Sequence, residues 1–200
     1  DVFTFEILEN DEVIATATND ATGKINYPTI TYELNATKGN ADLGLHTYTV
    51  REAVVDSEGI KGDVTTYEVG VYVIDNGTST LTVNATENHS ILDFVNTYEA
   101  SGKLVLSGAK AITDKPETMD LSGFKFTVKE GDAVVSTGTS AADGTITFDA
   151  IVYPNLSSAG EHTYVVSEDA DSKPGVTNTT STVTVKVEVK DDGEGGLIAT

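Results

Sequence analysis

Residues 46–52 read HTYTVRE, and residues 162–168 read HTYVVSE. In the first stretch apolar and polar side chains alternate, and the second repeats its inward set as His162, Tyr164, Val166 and Glu168. A period of two residues turns one set of side chains toward a core and the other toward water. Residues 67–73 and 183–189 alternate in the same way. No stretch carries apolar residues at helical spacing over three turns, so the sequence predicts an all-β protein.

These matching stretches belong to a longer internal repeat. They lie 116 positions apart, whereas residues 3–5 (FTF) lie 121 positions before residues 124–126 (FKF), because the second copy is five residues shorter. A repeat of this size is a domain rather than a solenoid unit. We expect two β-sandwiches in tandem, one in residues 1–100 and one in residues 101–200.

The two copies differ at their ends. Residues 101–122 have no counterpart before Asp1, and residues 85–98 have none after Thr200. We therefore expect the first sandwich to lack its first strand and the second to lack its last strand, as in a segment cut from a longer array.

Composition excludes several classes of function. The 200 residues include 32 acidic and 12 basic side chains, and a net charge of −20 argues against nucleic-acid binding. No apolar run approaches the ~18 residues of a membrane span, so we expect no membrane insertion in this segment and no signal peptide at Asp1. The absence of Cys excludes disulfides and Cys-containing zinc sites.

Several polar side chains fall on faces that the alternation assigns to the core. They are Glu52 and Glu168, each in line with an inward Tyr and Val; Lys110, in line with Leu106; and Asn96, between Phe94 and Tyr98. Burial favours the neutral forms of a carboxyl group and of an amine. A neutral amine is a nucleophile and a carboxamide carbon an electrophile, which together suit a Lys–Asn amide bond formed with release of ammonia. The pattern alone also allows a lysine that reaches solvent and a glutamate at a solvated strand end.

Four motifs of the second copy and a closing motif of the first resemble the streptococcal-type pilin isopeptide-linkage repeat, an immunoglobulin-like sandwich related to the B-type domains of collagen adhesins. They are residues 106–112 (LSGAKAI), 124–126 (FKF), 143–148 (DGTITF), 160–168 (GEHTYVVSE) and, in the first copy, 94–98 (FVNTY). The resemblance implies this fold for both copies and a covalent bond between a lysine on the first strand and an asparagine on the last.

The resemblance also implies roles for individual residues. Lys110 is the amine of the second domain and Glu168 its catalyst, while Asn96 is the acceptor of the first domain and Glu52 its catalyst. Lys103 is the alternative amine, although the alternation sets it on the face opposite Leu104. No cofactor and no metal ion is expected.

Three other sequence patterns resemble metal-binding sites. His46 and His162 match in register, and we expect half-buried strand histidines rather than metal ligands. The turns at residues 75–77 (DNG) and 191–195 (DDGEG) resemble calcium loops, but each first suggests a hairpin between two strands.

These observations favour a structural stalk in a Gram-positive surface protein or pilus over an enzyme, since the expected Lys–Asn bond formation occurs once and within the protein itself. We expect an extracellular location on the cell wall or pilus, with neighbouring repeats or subunits as partners. The alternative is an adhesin module that binds a host protein or glycan through residues 33–45, where the first copy carries its extra residues.

Overall fold

The computed structural model describes residues 1–54, 56–86, 92–170, 173 and 175–200. The chain forms two compact units, Asp1–Thr97 (unit 1) and Tyr98–Thr200 (unit 2). The described part is built from β-strands and two short 3-10 helices, Ala36–Lys38 and Leu156–Ser158. None of its helices has the length and apolar character that crossing a membrane requires. The prediction of an all-β protein is confirmed.

The described residues of unit 1 form six strands and the start of a seventh. They are β1 (Thr4–Glu9), β2 (Glu12–Thr18), β3 (Gly44–Glu52), β4 (Ile60–Lys61), β5 (Thr66–Asp75), β6 (Leu81–Ala85) and β7 (Thr97–Tyr98), which ends in unit 2. Five of them form an antiparallel sheet in the order β2-β1-β3-β5-β6.

In the part of unit 2 that the structure describes there are nine further strands. They are β8 (Ser101–Leu104), β9 (Ser107–Ala109), β10 (Lys125–Glu130), β11 (Ala133–Ser140), β12 (Thr145–Phe148), β13 (Ile151–Tyr153), β14 (Gly160–Glu168), β15 (Thr182–Asp191) and β16 (Gly196–Ala199). Their hydrogen-bonded order is β13-β8-β16-β15-β14-β10-β11-β12-β9. Strands β8 and β9 precede β10, and no described strand precedes β1, the counterpart of β10.

The internal repeat recurs in the strand pairing. Phe5 lies opposite Glu52 in the β1–β3 pair, as Phe126 lies opposite Glu168 in the β10–β14 pair. The equivalent hairpins β1–β2 and β10–β11 also carry an irregularity at the same place, after Ile7 in β1 and after Val128 in β10. The two units therefore share one register, and equivalent residues can be compared directly.

The core lies on the inward face that the alternation predicts. In unit 2 the most buried side chains are aromatic or β-branched: Phe124, Val128, Tyr164 and Val189. In unit 1 the buried cluster comprises Ile7, Tyr48 and Val50. These residues bring the ends of β3 and β14, with their glutamates, into the interior.

A histidine ties a loop to the sheet in each unit. In unit 1 His46 Nδ1 lies 2.7 Å from Glu9 Oε1, and its Nε2 lies 3.0 Å from the carbonyl oxygen of Asp42. In unit 2 His162 makes the same pair of contacts, with Glu130 at 2.7 Å and the Ser158 carbonyl at 2.9 Å. Both ring nitrogens face acceptors, so each ring is suited to the protonated form.

We expect the stability of both units to fall as the pH rises above about 6.5. For His46 the loss of hydration lowers the pKa, but Glu9 and the Asp42 carbonyl outweigh it and raise the pKa above 6.5. For His162 the Ser158 carbonyl and Glu130 likewise raise the pKa. A group whose pKa is raised by folding contributes its full stabilisation at pH values below its unfolded-state pKa. This stabilisation is lost as the pH rises through the folded-state pKa.

Melting temperature measured from about pH 5.5 to pH 9 checks this expectation. The variant with His46→Gln and His162→Gln should lose the component of the pH dependence that begins near pH 6.5. An unchanged profile in this variant would contradict a stabilising charge on the two rings.

Candidate functional site

The buried ion pair of unit 2 joins Lys110 and Glu168. Lys110 Nζ lies 2.8 Å from Glu168 Oε2, and the side chains are 10% and 1% exposed. Glu168 ends β14 on its inward face, and Lys110 follows β9 immediately. The amine also lies 4.8 Å from the centre of the Phe124 ring, a favourable position for a cation over an aromatic face.

The backbone at Lys110 is fixed by a close approach to Gly144. The N–H of Lys110 donates to the carbonyl oxygen of Gly144 at 2.7 Å. Gly144 has a φ of +92°, and a Cβ there would collide with the Lys110 carbonyl oxygen. Glycine is therefore required by both its conformation and the available space.

Gly144→Ala should destabilise unit 2 by more than Gly23→Ala destabilises unit 1. Gly23 is the equivalent residue, with a φ of +85°, but a Cβ there meets open space. We expect about 1 kcal/mol for Gly23→Ala and about 2–3 kcal/mol for Gly144→Ala, measured by urea denaturation. Equal losses would contradict the close packing against Lys110.

In unit 1 the buried glutamate, Glu52, is contacted by an asparagine, whereas Glu168 of unit 2 is contacted by a lysine. Asn96 Nδ2 donates to Glu52 Oε1 at 3.0 Å, and Glu52 is 3% exposed. The backbone N–H of Asp63 donates to Asn96 Oδ1 at 2.8 Å. Phe94, two residues earlier, packs against Phe5 and Tyr67 with ring centres 5.0 Å and 5.3 Å apart.

Each buried glutamate keeps one carboxylate oxygen without a hydrogen-bond partner among the described residues. In unit 2 this atom is Glu168 Oε1, beside the oxygen that binds Lys110, and in unit 1 it is Glu52 Oε2, beside the oxygen that binds Asn96. A buried acceptor without a partner is costly. The two units thus display complementary halves of one arrangement, an amine on a carboxylate and a carboxamide on a carboxylate.

A cavity borders the pair in unit 2. Its volume is about 390 Å³, and its lining includes Lys110, Glu168, Phe126, Val183 and Thr179. Phe126 and Val183 are the counterparts of Phe5 and Tyr67, which hold Phe94 in unit 1. The described residues that line this cavity include no asparagine.

Two details of the sequence interpretation need correction. Tyr98 does not share an inward face with Asn96: it is 37% exposed, and its hydroxyl donates to Asp191. The reason is that β7 spans only Thr97–Tyr98, so the alternation does not run through from Phe94. Lys110 and Leu106, which the alternation places in line, lie just after and just before β9 rather than within one continuous strand.

The structure does not bring Lys103 into the site. Lys103 lies in β8, and its side chain is exposed. The structure places Lys110 on Glu168 and Asn96 on Glu52. The chemical roles of these four residues stay predictions. Asp63 was not a sequence candidate, because its contact with Asn96 is made by a backbone N–H that no side-chain pattern reveals.

The two acidic turns are hairpins in the structure. Asp75 accepts the backbone N–H of Gly77 between β5 and β6, and Asp191 accepts that of Gly193 between β15 and β16. Their carboxylates are thus engaged in Asx turns. Within the part of the chain that the structure describes, no three His, Cys, Asp or Glu side chains are grouped to hold a metal ion.

The strand plan, repeated in the two units, defines an immunoglobulin-like β-sandwich that is present twice. The sequence profile of the family described as Spy0128-like isopeptide containing domain (FctA) matches residues 1–99 and 106–200. The chain belongs to this family, whose domains are structural pilin modules. No curated protein and no solved structure matches the chain.

Proposed function

We propose that the chain is a stalk segment of a Gram-positive surface protein or pilus, in which each unit is locked by one Lys–Asn isopeptide bond. The observation that carries this proposal is the pair of equivalent buried glutamates. One binds a lysine amine, the other binds an asparagine carboxamide, and each keeps a second buried oxygen unpartnered.

The proposed reaction in unit 2 begins with transfer of a proton from the Lys110 amine to Glu168. The neutral Nζ attacks the side-chain carbonyl carbon of an asparagine, forming a C–N bond. Glu168 then returns this proton to the carboxamide nitrogen, which leaves as ammonia when its bond to carbon breaks, and Glu168 takes the second proton that the attacking Nζ loses on becoming an amide nitrogen. Atoms balance as amine plus carboxamide giving secondary amide plus ammonia, and unit 1 would use Asn96 and Glu52 in the same way.

A bond of this kind suits a structure under tension. Lys110 lies near the beginning of unit 2, and Asn96 lies at the end of unit 1, so each marks a place where pulling force enters its own unit. A covalent tie between the first and last strands carries the load past the rest of the domain. It also constrains the unfolded chain, as a disulfide does, in a protein without Cys. The net charge of −20 keeps such segments separated from like neighbours.

Covalent capture of synthetic peptides tests this function. The Asn peptide (residues 92–99, LDFVNTYE) should join Lys110, and an N-acetylated Lys peptide (residues 104–113, LVLSGAKAIT) should join Asn96. We expect the intact mass to equal the sequence mass before addition. Afterwards it should rise by the mass of each peptide less one ammonia. Peptides with Asn96→Ala or Lys110→Met are the controls, and binding without a covalent product would contradict the proposal.

One feature of unit 1 favours an adhesive function as the second candidate. Leu45 lies opposite Tyr72 on the outer face of β3 and β5, and they are 60% and 47% exposed. The equivalent pair in unit 2 is Glu161 and Glu188. A variant with Leu45→Glu and Tyr72→Glu should lose retention on surfaces coated with host extracellular matrix if this face binds a ligand, and a stalk-only role predicts no retention by either protein.

A further inference from the structure

The carboxamide of Asn96 is held at both of its ends. Its nitrogen faces Glu52 at 3.0 Å, and its oxygen faces the backbone N–H of Asp63 at 2.8 Å. A rotated carboxamide would direct its oxygen at the carboxylate and its nitrogen at a donor, so only this orientation satisfies both contacts. The nitrogen that would leave as ammonia therefore faces the carboxyl group, and the oxygen that would gain negative charge faces a donor.

We propose that the backbone N–H of Asp63 stabilises the oxyanion formed at Asn96, and that the N–H of Thr179 has this role in unit 2. The inference rests on the proposed function, since it assigns a catalytic group to that reaction. When the amine attacks, the carbonyl electrons move onto Oδ1. They return when the bond to the leaving nitrogen breaks. A donor fixed in place before the reaction stabilises this charge without reorganisation.

The donor of unit 1 is held rigidly by the side chain of the same residue. The Asp63 carboxylate accepts the backbone N–H of Thr65 at 2.7 Å and that of Val95 at 2.6 Å. Hydrogen bonds from Thr65 and then from Val95 hold the pKa of Asp63 below its usual value, so the carboxylate stays charged. Because Val95 adjoins Asn96, Asp63 positions the acceptor segment with its side chain and contacts the reacting group with its backbone.

Unit 2 repeats this turn with a different residue. Thr179 lies 116 positions after Asp63, and its Oγ1 accepts the backbone N–H of Ser181 at 3.1 Å, as Asp63 accepts that of Thr65. Thr179 also lines the cavity that Lys110 and Glu168 border. The two turns therefore occupy equivalent positions. The turn at Asp63 contacts the carboxamide of Asn96. The turn at Thr179 lines the cavity in which the carboxamide of the Asn peptide would lie.

Replacing a single N–H by oxygen tests the role of Asp63 in the full chain. The ester analogue of the bond between residues 62 and 63 keeps the Asp63 side chain and removes only the donor. We expect the maximal rate of capture of the Lys peptide to fall by about 10²–10³-fold. The affinity for that peptide, measured with its Lys110→Met form, should change by less than about tenfold. The ester analogue one bond later, at Val64, is the matched control and should react at the normal rate.

Substitutions at Thr179 give an independent test in unit 2. Thr179→Ala removes the hydroxyl and keeps the N–H, whereas Thr179→Pro removes both, so the ratio of their maximal rates with the Asn peptide isolates the donor. A ratio of about 10²–10³ is expected. An ester analogue at Asp63 that reacts at the full maximal rate, or one impaired only in affinity, overturns the inference while leaving the proposed function intact. Failure of the unmodified chain to capture either peptide overturns both.

Discussion

Glu168→Ala should abolish capture of the Asn peptide and leave capture of the Lys peptide unchanged. Glu168 Oε2 is the described hydrogen-bond partner of the Lys110 amine, and without it no group takes the proton from Nζ or returns it to the leaving nitrogen. Proton transfer of this kind contributes about 10²–10⁴ to a rate, so bond formation in unit 2 should fall below detection over hours. The time course of intact mass after mixing measures the effect.

The matched variant is Glu52→Ala, which should abolish capture of the Lys peptide and spare that of the Asn peptide. Glu168→Gln is a second variant, because it preserves the shape of the side chain and still cannot accept the proton. Circular dichroism at the start of each reaction checks that the strands remain. Loss of both reactions in either single variant would show that the two sites do not act independently.

Lys110→Ala should cost unit 2 about 3–5 kcal/mol of unfolding free energy. The Glu168 side chain is 1% exposed, so its carboxylate would remain buried without its cation. Replacing both partners by apolar residues, with Lys110→Met and Glu168→Leu, removes the buried charge and should recover most of the loss. Urea denaturation of the three proteins measures the difference.

An exposed ion pair in the same unit provides the control. Lys190 lies 2.9 Å from Glu188, and their side chains are 67% and 53% exposed. Lys190→Ala should cost no more than about 1 kcal/mol, because solvent screens the pair. Similar losses for Lys110→Ala and Lys190→Ala would contradict the burial of the Lys110–Glu168 pair.

The sequence predicts those parts of the site that depend on a strand period. Glu52 and Glu168 each end a nine-residue strand two residues after an inward Val and four after an inward Tyr, so their inward position follows from the two-residue period. The offset of 116 positions also carries over into the pairing of β3 with β5 and of β14 with β15. The two-residue period and the internal repeat are sufficient to predict these positions and pairings because each strand is long.

The remaining parts depend on backbone geometry that has no periodic signature. Tyr98 departs from the predicted face because the strand that contains it begins only at Thr97. His46 and His162 each contact a carbonyl oxygen four residues earlier, in the loop before their strand, and the N–H of Asp63 contacts Asn96 across 33 residues of sequence. Such contacts involve main-chain atoms, which every residue possesses, and so the sequence does not mark them.

The most direct measurement of the central claim is a peptide map of the chain after incubation with the Asn peptide. The account predicts one cross-linked fragment, in which Lys110 is joined to the asparagine of the peptide and whose mass is lower than the sum of its parts by one ammonia. Unmodified Lys110 after prolonged incubation with a saturating concentration of peptide, or a cross-link at Lys103 instead, would contradict it.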